Sequence, residues 1–371
     1  MLNTSIKGAL ILMLLLVFNC KESKVEITQV QLLKEGEIVL NDNQDRVANI
    51  MEGLQVTENG HAYGIDFITK LPFILSLKSG DVKFLSSKGR GPKELLQPVQ
   101  LVLKDDKELY VYDSALDKIA HFVNDEIVDK LPGYSRDNIW LRNSYGFYFN
   151  NHLITAFIDP TMINTDKLNY EEARSLAFYN LADSTTNKRG RLSPTLDKLD
   201  SYGKYPLMAM DDKEEVIYYV FSMDHTVMKY DIKRDSSWVV GTYKPEKIRT
   251  RSLKVDYRKA PTLQSAKKYG LDITRLVGIE IIDDELLIVW QNAQPEFYDQ
   301  RNSSNKLRDY FGILYDLDDF NQVAELSLPG KFLGTYENTI MIEENENLDT
   351  YTIGFYKIAN IDTTKIDLEI N

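Results

Sequence analysis

The sequence predicts an all-β chain built as a six-bladed β-propeller, with seven blades as the alternative. Paired strand patterns recur from one end of the chain to the other, and an aromatic residue stands near the end of the second member of each pair. The composition agrees: 22 Tyr and 15 Phe in 371 residues suit pleated, half-buried surfaces. A small antiparallel sheet cannot bury its own faces, so several of them at intervals of about 40–50 residues imply neighbours stacked around a ring.

In chain order, residues 1–19 read as a signal peptide. Lys7 supplies the basic region, and Gly8–Phe18 is an apolar run of secretory length, too short to span a bilayer comfortably. Cys20, the single cysteine, follows at the point where a lipoprotein signal is cleaved and the thiol acylated, although Phe18 and Asn19 stand where small residues are customary. Acylation at Cys20 leaves no thiol for a disulfide, a nucleophile or a cysteine zinc site. Residues 20–29 are then a lipidated tether, and 30–371 a single propeller domain. Within Val25–Leu33 or Glu37–Leu40 lies the strand expected to close the ring.

Six hairpins follow. Phe73–Lys78 pairs with Asp81–Ser86, Glu108–Asp113 with Lys118–Val123, and His152–Asp159 with Ser175–Ala182. Further on, Glu215–Met223 pairs with Thr226–Ile232, Glu285–Gln291 with Tyr310–Leu317, and Thr339–Glu343 with Thr350–Ile358. All carry β-branched and aromatic residues between turn residues. The recurring aromatics are Phe84, Phe122, Tyr179, Tyr230, Tyr315 and Tyr356. The long interval between Tyr230 and Tyr315 leaves room for a seventh blade. Lys167–Arg174 and Pro261–Tyr269 are short helix candidates in connections. Strand contexts place Trp140, Trp238 and Trp290 in the core, Trp290 above all.

The segment Gly89-Arg-Gly-Pro-Lys-Glu94, followed by Leu95-Leu-Gln-Pro98 and continuing through Val123, resembles one repeat of the NHL-like or TolB-like six-bladed propeller lipoproteins of Bacteroidetes. Lys93 stands where that pattern has a third glycine, and Leu95 where it has an aromatic. The pair Lys21-Glu22 resembles the surface-export signals of the same lipoproteins. The resemblance implies an extracytoplasmic binding or interaction role more than a shared reaction, since fold does not carry function.

Chemistry is sparse. Gly89–Glu94 lacks the Lys-Ser or Lys-Thr of a phosphate-binding loop and opens no helix, so it reads as a turn between blades. His61, His121, His152 and His225 show no metal-cage spacing, and no metal or cofactor is expected. His152, after Asn150-Asn151, is a candidate for the channel rim and for general-base work beside Arg142 or Arg136. Acidic pairs such as Asp211-Asp212 and Asp283-Asp284 fall where turns are expected. A net charge of −12 opposes nucleic acid. Against it stand two basic clusters, Lys188-Arg-Gly-Arg191 and Lys247-Ile-Arg-Thr-Arg251, which could rim a site for an acidic partner. The candidate ligand-binding residues are Arg90, Arg142, His152, Arg189 and Arg191.

The resulting expectation is a lipoprotein of the cell envelope, held at the outer membrane through Cys20, whose propeller binds a glycan or an envelope protein. A polysaccharide lyase or glycosidase acting on an acidic glycan is the alternative. A purely structural interaction module is the second alternative.

Overall fold

A computed structural model of the chain describes residues 26–40, 50, 53–66, 68–134, 141, 146–157, 172–196, 206–222, 224–249, 271, 273–298, 307–344 and 351–360. Strands dominate them, grouped into four-stranded antiparallel units. The chain enters through a long strand, β1 (Glu26–Val39). One unit is β2 (Gln55–Val56), β3 (His61–Ile65), β4 (Pro72–Ser76) and β5 (Val82–Phe84), and β6 (Ser87–Lys88) with β7 (Glu94–Leu95) forms a small parallel ladder after it. The next is β8 (Pro98–Leu103), β9 (Glu108–Asp113), β10 (Lys118–Val123) and β11 (Glu126–Pro132). It is followed by β12 (Gly146–Phe149), β13 (His152–Ala156), β14 (Leu176–Asn180) and β15 (Thr186–Arg189), and then by β16 (Pro206–Asp211), β17 (Val216–Phe221), β18 (Val227–Asp231) and β19 (Ser236–Gly241).

The unit β20 (Arg275–Ile282), β21 (Glu285–Ala293), β22 (Arg308–Asp316) and β23 (Gln322–Leu328) precedes the last group, β24 (Lys331–Tyr336), β25 (Thr339–Glu343) and β26 (Thr352–Asn360). That group has no fourth strand of its own among the described residues, and β1 stands in that place: Val30–Val39 pairs antiparallel with β26. Before Val30, the same strand pairs parallel with the outer strand of the preceding unit, Glu26 opposite Gln322 through Gln29 opposite Glu325. The closing strand therefore starts at Glu26 and pairs with two successive units.

Apolar clusters fill every seam between successive units. Tyr63, Leu109 and Phe122 meet in one, Tyr110, Tyr134 and Tyr179 in the next, then Ile154, Tyr219 and Tyr230. Tyr218, Trp290 and Tyr315 fill another, Leu287, Phe332 and Tyr356 the next, while Phe73, Leu333 and Ile353 join the last group back to the first. The seams thus return on themselves, which is a propeller-like arrangement. Burial on both faces explains the second strands: β17 reads Val-Ile-Tyr-Tyr-Val-Phe and all six residues are buried. Each such large side chain removed from water contributes about 2–3 kcal/mol.

All six expected hairpins are found. Five are the second and third strands of a unit, whereas Phe73 and Phe84 lie on the third and fourth. Trp290 is 1% exposed, as expected, but Trp238 lies on the outer strand β19 and is 38% exposed. β19 is the edge strand of its sheet among the described residues, and the Lys229 ammonium stands 6.0 Å from the ring centroid. Trp140 and most residues of the two helix candidates lie outside the described residues. Between Tyr230 and Tyr315 the described strands are β19, β20 and β21, with no additional unit among the described residues.

Because strands alternate in direction, the two ends of the units differ. One end carries tight turns such as Asn124-Asp125 and Asn150-Asn151, whose positive φ angles of 48°, 66°, 46° and 62° suit Asn and Asp. The other carries the unit-to-unit connections. Near that end, buried polar residues anchor the chain: Asp113 accepts from the backbone N–H groups of Leu96, Gln97, Ala115 and Leu116. Asp224 accepts from Ser193 Oγ and from the Thr226 N–H, and Asn292 Nδ2 donates to the Lys247 carbonyl. β1 enters at the tight-turn end, since Glu26 lies beside the start of β23 and Val30 beside the end of β26.

Candidate functional site

The residues singled out in the sequence are not gathered together. Cys20, Arg136 and Arg142 lie outside the described residues. His152 follows the tight Asn150-Asn151 turn, where its Nδ1 lies 2.8 Å from the Asn150 carbonyl and its ring meets Phe178 edge-on. Arg189 is at the opposite end of the same unit, as the register His152 opposite Asn180 and Leu176 opposite Arg189 requires. Its guanidinium is paired with Asp235 across a seam, which raises its own pKa and lowers that of the carboxylate. Arg191 is exposed, its backbone held by Ser237 Oγ and Tyr219 Oη.

Arg90 is also exposed, on the Gly89–Glu94 loop, which lies against the outer strand β11. There the Lys130 ammonium donates to the carbonyls of Gly91 and Glu94 at 2.9 and 2.6 Å, while the Glu94 carboxylate accepts the Gly91 N–H at 2.7 Å. A Cβ on Gly89 would collide with Glu94 Oε2, so the motif's first glycine makes room for this carboxylate.

His121 belongs to a tightly satisfied cluster. Its ring stacks on Tyr110 at 4.6 Å, and Tyr110 lies parallel to Tyr148 at 6.5 Å. Glu108 accepts from Tyr110 Oη at 2.7 Å and from Lys104 at 2.8 Å, and contacts His121 Nε2 at 2.9 Å. Desolvation raises the Glu108 carboxyl, but those three partners outweigh it and the net shift is downward. The three partners together hold this carboxylate in its ionised form. On the innermost strand β20, by contrast, Glu280 stands with no partner among the described residues. It keeps part of its surface open, yet protein surrounds it, and desolvation pushes its carboxyl up to about 8.

A cavity opens where β1 leaves one unit for the next. Up to Gln29 and Glu325, β1 and β23 are paired; beyond them β1 turns to β26, and the two strands diverge like a fork. The cavity in the fork measures about 640 Å³ and is lined by Val30, Gln31 and Leu32 on one side and by Leu326, Ser327 and Leu328 on the other. The facing backbone edges have no strand partner among the described residues. Side chains alternate across β23, so the fork has two distinct walls. Leu326 and Leu328 share the apolar seam with Val30, Leu32 and Tyr356. On the other wall, Lys247 Nζ donates to Ser327 Oγ at 3.1 Å above the Phe311 ring, and Tyr243 Oη donates to Glu325. Burial, and then the Glu344 carboxylate, push Tyr356 up to about 12, so its hydroxyl is a donor at neutral pH.

An extended segment fits such a place: the open edges offer hydrogen bonds, one wall takes apolar side chains, and Lys247 favours acidic ones on the other. Lys247 belongs to a basic cluster visible in the sequence. The fork itself is not, because it depends on where two strands 290 or more residues apart stop pairing. The cluster's Arg249 is structural, donating to the carbonyls of Leu271 and Ala293 at 3.0 and 3.2 Å.

No protein-family model matches the chain, and no curated protein matches its sequence. Solved structures do. A member of the DUF4221 family from Bacteroides vulgatus superposes with a TM-score of 0.70 at 14% identity, over 90% of this chain and 99% of that one. A Bacteroides fragilis protein described as exported superposes with a TM-score of 0.53 at 11% identity, over 90% of this chain and all of its own. At these identities the likeness carries the fold.

Proposed function

We propose that this chain is a lipoprotein acylated at Cys20 and held at the outer membrane, whose four-stranded units close as a six-bladed propeller that binds an envelope protein. The observation that carries the binding reading is the fork between β1 and β23, with open strand edges, one apolar wall and Lys247 on the other. The occupant is an extended segment with apolar side chains alternating with acidic ones, added to β23 as a further strand. Two observations support the location. The sequence places Cys20 directly after a secretory apolar run, and a structural neighbour is described as exported. Residues 20–25 reach roughly 20 Å at full extension, so an anchor at Cys20 keeps the β1 entrance close to the membrane surface. A partner resident in the envelope suits that placement better than a polymer arriving from the medium.

Arg189 is engaged by Asp235, which leaves the 188–191 cluster a weak basis for binding acidic glycan. The test is fluorescence anisotropy with a labelled heptapeptide of alternating Ile and Asp. The chain should bind it, Lys247→Glu should weaken binding at least tenfold, and added salt should do the same in part. Absence of binding, or equal binding by Lys247→Glu and Leu328→Lys variants, would overturn the reading. Metabolic labelling with palmitate tests the anchor: incorporation should vanish in Cys20→Ser.

A further inference from the structure

The first strands of successive units pack beside one another around the axis, β16 against β20, β20 against β24 and β24 against β2. The turns that follow them therefore ring one mouth of the central channel. On two neighbouring units those turns read Asp211-Asp-Lys-Glu-Glu215 and Asp283-Asp-Glu285. Glu215 is met by Lys233 at 3.4 Å, while burial and then the Asp316 and Asp283 carboxylates push the Glu285 carboxyl above its ordinary value. A rim of carboxylates alone is no site. Beneath it, however, stands Glu280, three residues before Asp283 and so about 10 Å along β20 from the turn.

Glu280 shares its face of β20 with Gly278 and Ile282. A Cβ on Gly278 would collide with the Phe332 ring, and Glu280 is in register with Leu287, so this face looks onto the last unit. Leu287, Phe332 and Ile340 are buried there and close the seam on its outer side, which leaves the open part of Glu280 toward the channel. β16, β17, β21 and β24 pack against β20, and their titratable groups are Asp211, Tyr218, Tyr219, Glu285, Lys331 and Tyr336. None of them pairs with Glu280; Lys331 is held by the Ile50 carbonyl and Glu343. The innermost strands keep apolar side chains half buried beside it, Met210 on β16 and Ile281 on β20.

We propose that the channel takes up an alkylammonium group through this acidic mouth, with Glu280 as the carboxylate that meets its charge. The rim draws cations and repels anions at the entrance. A bare metal ion does not suit the place: it needs several oxygen ligands, and no three carboxylates or imidazoles among the described residues come together to supply them. An ammonium on a methylene stem needs a carboxylate at its head and apolar surface along its length. The same chemistry is offered by a free amine and by the lysine of a partner protein. Binding carries a proton signature. Desolvation pushes the Glu280 carboxyl up to about 8, so at neutral pH it holds a proton that an arriving ammonium must displace. Only the ionised fraction is competent to bind, and it shrinks about tenfold for each pH unit below that value. The site is separate from the fork and stands whether or not the fork binds a strand.

The test is a calorimetric titration of the full chain with n-pentylamine at constant ionic strength, in buffers of different ionisation enthalpy. Near neutral pH, binding should release close to one proton, and affinity should rise about tenfold for each pH unit between about 6 and 7.5. Glu280→Gln, which keeps the shape of the protonated acid, should weaken binding at least tenfold and release no proton, while Lys247→Glu at the fork should match the parent chain. A variant carrying Asp283→Asn and Asp284→Asn, both exposed turn residues, should bind more weakly at low salt and approach the parent at high salt. A blocked Gly-Lys-Gly peptide run in parallel identifies the source: tighter binding than pentylamine assigns the ammonium to a partner's lysine and weaker binding to a free amine, and either supports the site. Equal binding by Glu280→Gln and the parent chain, binding without proton release, or failure of both amines to bind would overturn the inference. So would tighter, Glu280-dependent binding of calcium.

Discussion

Asp113, at the end of the second strand of its unit, accepts the backbone N–H of Leu96 at 2.5 Å from the connection leading into that unit. The same carboxylate also takes Gln97, Ala115 and Leu116, so one buried side chain fixes two loops. Asp113→Ala should therefore lower stability by about 3 kcal/mol, because it leaves several buried N–H groups without an acceptor. Asp113→Asn, which retains one carbonyl oxygen, should lose less. Urea denaturation of the two variants checks the order.

Gly89 and Glu94 should behave as a coupled pair. The Glu94 carboxylate fills the place that a Cβ on Gly89 would take, and since this flexible side chain can swing aside by giving up the Gly91 N–H, Gly89→Ala should cost up to about 1 kcal/mol in the parent chain. In a Glu94→Ala background the same change should cost much less, since the clashing group is gone. A double-mutant cycle by thermal denaturation measures the difference, and strictly additive losses would refute the steric account.

Glu280 should make stability depend on pH. Its folded-state pKa, pushed to about 8 by desolvation, lies above that of an unfolded carboxyl. Between the ordinary carboxylate range and about pH 8, the folded state therefore holds a proton that the unfolded chain has lost. Stability from this group is full at acid pH and falls as pH rises through that window. Glu280→Gln should remove the slope, adding about 2 kcal/mol at pH 8 and little at pH 4, as read from urea midpoints.

The two described tryptophans should respond oppositely to truncation. Trp290→Ala opens a cavity in a seam and should cost about 4 kcal/mol, whereas Trp238→Ala on the outer strand should cost under about 1 kcal/mol. Similar midpoints for both variants would contradict the placement of Trp238.

What could be read from the sequence follows from what was buried. Second and third strands lie between neighbouring units, so segments such as Glu108–Asp113 and Val216–Phe221 are apolar enough to stand out without any partner in view. The first and fourth strands were harder to recognise. Innermost strands such as β12 are short, and outer ones such as β15, Thr-Asn-Lys-Arg, carry polar residues because only one edge is covered. The acidic turns were legible for a local reason: Asp211 and Asp316 accept N–H groups two and three residues ahead.

By itself, then, the sequence determined the strand-rich class, the hairpins and the position of the single cysteine, all of which rest on local pattern. Tertiary structure decided the rest. Asn150-Asn151 forms a tight turn whose carbonyl meets His152, and Arg189 meets Asp235 only because two units abut. The fork arises where β1, held by strands from two different units, must abandon one to complete the other. That geometry depends on pairings about 300 or more residues apart, and no local period encodes it.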